Sequence, residues 1–191
     1  KINQAYFLGG PEQAVEALNR NLDLQIDDFA TFNWKAVVDA VNILGGVDVE
    51  LSKAEFYYIN AYITETVEAT GVGSYQLKQA GLNHLDGVQA VAYARLRKMD
   101  TDFARTERQR EIIDLCFQKL KKSDFAVVNN VMEAVFPQIL CSVTIDDIIP
   151  AAKNLTKYTI ADTMGFPAAR SDANMGKKGA CVIPQTLESN V

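Results

Sequence analysis

Residues 34–55, WKAVVDAVNILGGVDVELSKAE, contain the pattern that decides the fold class. The apolar spacing over Trp34–Leu44 predicts a helix that stops at Gly45-Gly46. The next five residues, Val47–Leu51, alternate between apolar and acidic side chains, which predicts a short half-buried strand. Ser52-Lys53-Ala54-Glu55 then has the spacing of a capping box and opens another helix. Helix and strand therefore alternate within 22 residues.

The rest of the chain continues this alternation. Further helices are predicted at about Glu12–Asn21, from Asp86 through Tyr93 toward Arg95, and at Asp102–Lys122, Phe125–Phe136 and Ile145–Leu155. Further strands are predicted at Leu22–Phe32, Tyr158–Met164 and Ala180–Ile183, with a turn-rich loop or hairpin over 71–81. Because no repeat, low-complexity tract or linker interrupts the chain, the sequence predicts an α/β fold in one domain.

Length and composition favour a soluble domain with a substantial core. The chain has 191 residues, of which 48% are hydrophobic and 23% charged, as in ordinary globular proteins. No window approaches the about 18 to 20 apolar residues of a membrane span. The chain begins at Lys1, within sequence that reads as structured, so we expect a fragment from which a targeting segment has been removed. The net charge of −5 argues against nucleic-acid binding through the whole surface.

The cysteines and the histidine predict no metal or nucleophile site. Cys116, Cys141 and Cys181 are widely spaced and form no C-x-x-C pair, so we expect apolar filler, with a Cys141–Cys181 disulfide left open. His84 lies in a turn-like Leu-Asn-His-Leu and is expected to be structural. The chain has no Walker loop, no G-x-G-x-x-G and no G-x-S-x-G, which argues against catalysis by a Ser-His or Cys-His pair.

The chemistry concentrates in residues 95–110, RLRKMDTDFARTERQR, which hold six Lys or Arg and three acids. This segment carries a net charge of +3, which leaves −8 for the rest of the chain. A charge run is usually a solvated helix face. Its placement on the helices argues against that interpretation.

On the helix that begins at Asp102, Arg105 and Gln109 fall within about 40° of the apolar stripe of Ile112 and Cys116. On the preceding helix Arg95 continues the stripe of Val88, Val91 and Ala92, and an extended segment would point Arg97 to the same side. Inward guanidiniums need a partner, because an unpaired buried charge is costly. The sequence therefore predicts a bound anion such as phosphate, which the planar arginine fork binds bidentately. The alternative is an internal Arg-Asp network that ties two helices together, with Asp102 either orienting the arginines or accepting a proton.

Four motifs in order resemble the LytR-CpsA-Psr family, also described as the cell envelope-related transcriptional attenuator domain. They are Lys1-Ile2-Asn3-Gln4-Ala5-Tyr6 with Gly9-Gly10, Val38-Asp39-Ala40 leading to Leu44-Gly45-Gly46-Val47-Asp48-Val49, Leu85-Asp86-Gly87 leading to Tyr93-Ala94-Arg95-Leu96-Arg97, and Asp102-x-x-Arg105-x-x-x-Gln109. The resemblance covers about residues 1–122. Residues 123–191 match only in being helical with terminal strands.

The resemblance implies one catalytic domain over residues 1–191, an α/β/α sandwich with a central mixed β-sheet flanked by helices. It implies bacterial envelope enzymes on the extracytoplasmic face of the cell membrane, anchored by one N-terminal transmembrane helix. These enzymes move a glycopolymer, teichoic acid or capsule, from an undecaprenyl-pyrophosphate carrier to peptidoglycan with Mg²⁺.

The resemblance also assigns residues. Arg95, Arg97, Arg105, Gln109 and Lys1 match pyrophosphate-binding positions, and Asp102 matches the acidic position beside them, so Asp102 and Arg105 are the expected catalytic residues.

The family needs a groove for the polyprenyl tail, and a guess at its walls gives Val91, Ile112, Ile113 and Phe117, although such residues more often belong to a core.

One departure lies at the front of the chain. Family members place two or more strands before the Lys-Ile-Asn segment, and those strands carry another arginine and the acids that hold the metal. We therefore expect N-terminal strands and Mg²⁺ ligands to lie upstream of this chain, and we expect the chain by itself to bind better than it transfers.

Two other functions compete with transfer. The first is a non-catalytic envelope module that binds polyprenyl pyrophosphate or an anionic glycopolymer. The second is a transcriptional regulator, which fits poorly because Arg105 and Gln109 share the apolar stripe rather than facing outward.

Overall fold

The computed structural model describes residues 1–163 and 165–186. The helices are α1 (Gln4–Leu22), α2 (Trp34–Ile43), α3 (Lys53–Thr70), α4 (Gly87–Arg95), α5 (Asp102–Lys122), α6 (Phe125–Val135) and α7 (Ile145–Lys153). The strands are β1 (Ala30–Phe32), β2 (Val47–Leu51), β3 (Gly81–Leu85), β4 (Ile139–Cys141), β5 (Arg170–Asn174) and β6 (Ala180–Pro184). Helices and strands alternate from α1 to α4, three helices then follow one another, and the α/β class is confirmed.

These elements divide between two compact units. The larger unit comprises Phe32–Ile139 and Ile149–Ala161. The smaller unit comprises Lys1–Thr31, Leu140–Ile148 and the described residues from Asp162 onward.

The larger unit contains a continuous hydrophobic core. In β2 the apolar residues Val47, Val49 and Leu51 are buried while the two acids between them are exposed, as expected of a strand with one covered face. The core continues through α2, α3, α4 and Ile112 of α5. A Cβ atom at Gly87 would collide with the backbone of Val38. Glycine therefore permits the close approach of α4 to α2.

Local side-chain hydrogen bonds fix the starts of three helices around this core. Ser52 and Glu55 form the predicted capping box of α3. Asp86 forms an equivalent box with Gln89 at the start of α4, and Thr101 caps α5 through the amide of Ala104. Each cap satisfies backbone N–H groups that a helix start leaves unpaired.

The sheet architecture differs from the expected single mixed sheet. In the described part of the chain the strands form three two-stranded sheets, β1 with β4, β2 with β3 and β5 with β6. The second and third pairs are antiparallel. The alternating burial of β2 gives the physical reason, since a strand in the centre of an α/β/α sandwich would be buried on both faces.

Two predicted strands are wrong in position. Residues 22–29 form no strand because α1 continues to Leu22, and the backbone of Ile26 exchanges hydrogen bonds with the side chain of Asn19. Only β1 remains of that prediction. In the tail, residues 158–163 form no strand, and Met164 lies outside the described residues. The partner of β6 is instead β5.

The helix predicted at about Glu12–Asn21 lies within α1, in the smaller unit. Helix α1 contains a kink at Gly9 and Gly10, and Gly10 has a φ of 74°, which only glycine adopts without strain. Pro11 follows the kink directly, so the proline stands at the first turn of the second helical piece.

Two further observations concern the state of the cysteines and the hydropathy of the helices. Cys116, Cys141 and Cys181 are all free. Among the described residues, no helix combines the length and the hydropathy required to cross a bilayer.

Candidate functional site

The basic segment occupies the junction between α4 and α5 in the larger unit. Arg95 is the last residue of α4, residues 96–101 form the connection, and Asp102 is the first residue of α5. Leu96 is fully buried, which anchors the connection to the core between Arg95 and Arg97. Arg95 and Arg97 therefore lie on either side of a residue that packing holds in place.

A cavity of about 360 Å³ opens at this junction. Its lining residues are Trp34, Tyr62, Arg95, Arg97, Arg105 and Gln109. The four residues that the helical-face argument singled out thus surround one cavity, although they come from two helices and the connection between them.

Arg95 is held by contacts from two other helices. Its guanidinium carbon lies 3.8 Å from the ring centroid of Trp34, the first residue of α2. Its Nη1 donates a hydrogen bond of 2.7 Å to Oγ1 of Thr66, on α3. Its Nη2 lies 3.3 Å from the carboxylate of Glu65, which is half exposed. Arg95 is therefore oriented before any ligand binds.

Asp102 links the other two arginines. Its Oδ1 lies 2.8 Å from Nε of Arg97 and 3.5 Å from Nη2 of Arg105. The Nε of Arg105 is buried and has no hydrogen-bond partner within the residues that the structure describes. A buried donor without an acceptor costs free energy. Among the described residues, Oδ1 of Asp102 and Nε of Arg108 are likewise buried without a hydrogen-bond partner.

Gln109 lies one helical turn after Arg105 and is exposed. Its Nε2 donates a hydrogen bond of 3.4 Å to the carbonyl oxygen of Ala94, at the end of α4. This contact directs the amide across the α4–α5 junction toward the cavity.

The buried arginine of α5 is Arg108, which sequence reasoning missed. Its side chain is 6% exposed, and its guanidinium donates two hydrogen bonds to Asp100, of 2.7 and 2.9 Å. A third, of 2.7 Å, goes to the carbonyl oxygen of Leu96. Burial opposes the charge of Arg108, but the hydrogen bonds and negative charge of Asp100, with Glu55, outweigh it and raise the pKa. Helical spacing could have found this residue, since Arg108 lies about 40° from Ile112.

Nothing in the sequence indicates that the two aromatic residues of the cavity belong to the site. Trp34 and Tyr62 lie at the start of α2 and within α3, and no motif in the sequence connects either residue with the arginines. Both were interpreted only as parts of their helices.

The remaining predicted residues lie elsewhere. Lys1 belongs to the smaller unit, where its terminal ammonium group donates a hydrogen bond to Gln4. Val91 and Ile112 belong to the core, whereas Ile113 is 63% exposed and Phe117 lies 5.6 Å from the ammonium of Lys121. The guessed groove residues are thus divided between core and surface, and a lipid groove stays a prediction.

The donor set suits an anion better than a cation. Three guanidiniums and an amide surround the cavity, and Asp102, which is not among the lining residues, is paired with Arg97 and Arg105. Among residues 1–163 and 165–186, no group of three or more His, Cys, Asp and Glu side chains could hold a metal ion.

Comparisons with known proteins identify similar enzymes. TagV of Bacillus subtilis, named a polyisoprenyl-teichoic acid–peptidoglycan teichoic acid transferase, is 29% identical over 179 residues, which are 92% of this chain and 44% of TagV. TagU of Bacillus cereus, with the same enzyme name, is 31% identical over 157 residues, which are 81% of this chain and 46% of TagU. The chain spans about half the length of these curated relatives.

The fold is also found among solved structures. A structure of TagT bound to LIIa-WTA superimposes with a TM-score of 0.73 at 24% identity, covering 99% of this chain and 68% of TagT. The model of the LytR_cpsA_psr family matches residues 1–176, well beyond the first 122 residues that carry the motifs. The chain therefore belongs to the LytR_cpsA_psr family.

Proposed function

We propose that this chain is the pyrophosphate-binding part of a glycopolymer transferase of the cell envelope. Its substrate is a glycopolymer of the teichoic acid or capsule class on an undecaprenyl-pyrophosphate carrier, and the acceptor is peptidoglycan. The observation that carries the proposal is the single cavity lined by Arg95, Arg97, Arg105 and Gln109. The enzyme names of the relatives support the choice of substrate class.

The arginines suit a diphosphate for electrostatic reasons. Each guanidinium offers paired N–H donors that match phosphate oxygens, and charge-assisted bonds of this kind are about twice as strong as neutral ones. The orphaned Nε of Arg105 would gain an acceptor when an anion enters. A diphosphate would therefore satisfy a donor that the folded chain leaves unpaired.

Transfer itself is phosphoryl transfer in this proposal. The acceptor hydroxyl attacks the sugar-linked phosphorus, and the bond to the bridging oxygen of the diphosphate breaks. Charge develops on the departing polyprenyl phosphate and on the equatorial oxygens. Arg95, Arg97 and Arg105 stabilise that charge in a preorganised arrangement.

Asp102 has two candidate roles in this step. It orients the guanidiniums of Arg97 and Arg105, or it accepts the proton of the attacking hydroxyl. Its short contact with Arg97 favours the orienting role. Asp102→Asn keeps hydrogen-bonding capacity but loses the charge and basicity. The orienting role predicts a moderate loss of transfer for this variant, and the role as a base predicts a complete loss.

Magnesium remains part of the proposal, with its ligands on the strands that family members place before the Lys-Ile-Asn segment. No step above depends on it. Likewise, the proposal places the domain on the extracytoplasmic face of the membrane, tethered by an anchor that is not part of these 191 residues.

The second candidate function is a non-catalytic module that holds the pyrophosphate carrier or an anionic glycopolymer. The ion pairing of Asp102 with Arg97 favours it, since that carboxylate is occupied with positioning. Binding and turnover separate the two candidates.

The proposed function is tested by calorimetric titration with inorganic pyrophosphate and with farnesyl pyrophosphate. Arg105→Ala is compared with Arg110→Ala, which removes an arginine of the same helix that does not line the cavity. Tighter binding of both probes by the Arg110 variant supports the site, and equal affinities contradict it. Duplex DNA is the control ligand, and comparable affinity for it would favour a regulator instead.

Turnover is measured as transfer of labelled teichoic acid from a polyprenyl-pyrophosphate carrier to peptidoglycan. The chain is compared with a longer protein that adds the preceding family strands. We expect both proteins to bind the carrier. Only the longer protein should transfer the polymer efficiently with Mg²⁺. Full Mg²⁺-dependent transfer by the 191 residues would show that their site is complete. No transfer by either protein would favour the binding module.

A further inference from the structure

Arg108 ties both ends of the α4–α5 connection to one side chain. Its Nη2 donates a 2.7 Å hydrogen bond to the carbonyl oxygen of Leu96, where the connection starts. Both of its terminal nitrogens donate to the carboxylate of Asp100, near the end of the connection, at 2.7 and 2.9 Å. One guanidinium therefore holds the backbone carbonyl that precedes Arg97 and the side chain of Asp100 that follows it.

Arg97 depends on this backbone more than its neighbours do. Its side chain is 61% exposed, so packing contributes little to its position. Its described side-chain partner is Asp102, which lies directly after the same connection. Arg95, in contrast, is held by Trp34 and Thr66 on other helices.

A further contact connects Arg108 with α3. Its Nη1 lies 3.4 Å from Oε1 of Glu55, while Oε2 of Glu55 closes the capping box with Ser52. The same helix contributes Tyr62 to the cavity. Arg108 thus joins the connection and the start of α3 behind the cavity, which it does not line.

We propose that Arg108, acting with Asp100, is a positioning residue that holds the α4–α5 connection so that Arg97 and Asp102 face a bound pyrophosphate. The inference rests on the proposed function, because it names a residue that acts through the same cavity. Arg108 itself does not contact the ligand.

The first variant is Arg108→Lys. Lysine keeps the charge but presents a single ammonium group, which cannot bond both oxygens of Asp100 and the Leu96 carbonyl in the same planar geometry. We expect the affinity for farnesyl pyrophosphate to fall about tenfold while the fold is kept, a coupling of the usual size for residues in one network. Should this variant fail to fold, Asp100→Asn removes the charge of the partner, which is less buried than Arg108, and is expected to act in the same direction.

A double-mutant cycle distinguishes positioning from general destabilisation. In an Arg97→Ala background, Arg108→Lys should cost about twofold or less, because the residue that it positions is gone. In an Arg95→Ala background it should still cost about tenfold, since Arg95 is held independently. Equal losses in both backgrounds would overturn the inference.

The matched control is Asn60→Ala. Asn60 clamps another loop, donating to the carbonyl oxygen of Leu77 at 3.0 Å and accepting from its amide at 2.9 Å. It does not line the cavity, so its loss should lower the melting temperature and leave the affinity unchanged. A tenfold loss of affinity here would overturn the inference, because any loosened loop would then have the same effect.

Failure of the proposed function gives a different result. If Arg97→Ala and Arg105→Ala both bind farnesyl pyrophosphate as tightly as the unaltered chain, the cavity is not the site, and the positioning role falls with it. If both weaken binding but Arg108→Lys and Asp100→Asn do not, only the positioning role is overturned.

Discussion

Arg105 and Arg108 lie three residues apart on α5, yet they occupy opposite environments. Arg108 is buried against Asp100, Glu55 and the Leu96 carbonyl, whereas Arg105 lines the cavity with its side chain 32% exposed. The Nε atoms of both arginines lack an acceptor among the described residues. The difference shows that burial and the partners of the terminal nitrogens, rather than residue type or spacing, separate a structural arginine from one that lines a cavity.

The energetics of the two arginines differ accordingly. A buried ion pair contributes little net stability by itself, but removing one partner leaves an uncompensated charge. An arginine that is partly exposed in a cavity has little effect on stability and gains energy when an anion binds. Arg108 should therefore control folding and Arg105 should control binding.

The largest expected effect is on stability. Arg108→Ala should lower the free energy of unfolding by about 3 to 5 kcal/mol, because Asp100 and Glu55 lose their buried partner. Urea unfolding measures this loss, with Arg105→Ala as the matched variant, for which we expect less than about 1 kcal/mol. Similar losses for both variants would remove the distinction between the two environments.

The next effect is on ligand binding. Arg105→Ala should weaken pyrophosphate binding by about 1.5 to 3 kcal/mol, since a charge-assisted contact is lost. Arg110→Ala should change it by less than about 0.5 kcal/mol. Calorimetry at low and high salt measures both variants, and the Arg105 effect should persist at high salt because its charge is partly buried.

A smaller effect is expected from the aromatic wall of the cavity. Trp34→Ala removes the ring under Arg95, and this cation–π contact contributes about 0.5 to 2 kcal/mol. We expect weaker pyrophosphate binding for Trp34→Ala and partial recovery for Trp34→Phe. Tyr57→Ala is the control, since Tyr57 is 79% exposed and does not line the cavity. An unchanged affinity for Trp34→Ala would show that Thr66 alone orients Arg95.

The smallest effect is a pH dependence beside Arg108. The ring of Tyr93 lies 5.9 Å from the guanidinium of Arg108. Burial, together with the hydrogen bond to Glu111, raises the pKa of Tyr93 well above its usual value. Above pH 10 the unfolded chain therefore loses a proton that the folded chain keeps, so stability falls as pH rises.

Tyr93→Phe removes this contribution. Between pH 9 and 10.5 the variant should lose less stability than the unaltered chain, by less than about 1 kcal/mol. Urea unfolding at several pH values measures the difference. Parallel curves for the two proteins would mean that the tyrosine titrates alike in both states.

Much of the fold could be predicted because its signals are local. The helix of 34–44, the strand of 47–51 and the capping box at Ser52 appear in the structure at the predicted places, within a residue. Of the strand predicted at 22–32, only β1 (Ala30–Phe32) is present. Residues 22–29 form no strand because Asn19 satisfies the backbone of Ile26, a partner that alternation alone does not reveal. The tail strand failed similarly, since β6 pairs with β5 instead of with residues 158–163.

The candidate site was partly predictable. The apolar stripe of α5 located Arg105 and Gln109, and the end of α4 located Arg95. Trp34 and Tyr62 could not be linked to them, because residues far apart in the chain meet only when α2, α3 and α4 pack around one core. Val91 and Ile112, which the sequence analysis named as candidate groove walls, belong to that hydrophobic core. Core packing is the more common role of apolar residues at helical spacing.

The sequence by itself determined the order of the helices, the strand at 47–51, the capping box of α3 and the concentration of positive charge in residues 95–110. These properties depend on periodicity and on hydrogen bonds between residues a few positions apart. Only the tertiary structure decided that Arg108 meets Asp100, Leu96 and Glu55 while Arg105 lines the cavity. Burial and partners are set by the packing of distant segments, and the free energy of a charged group depends on both.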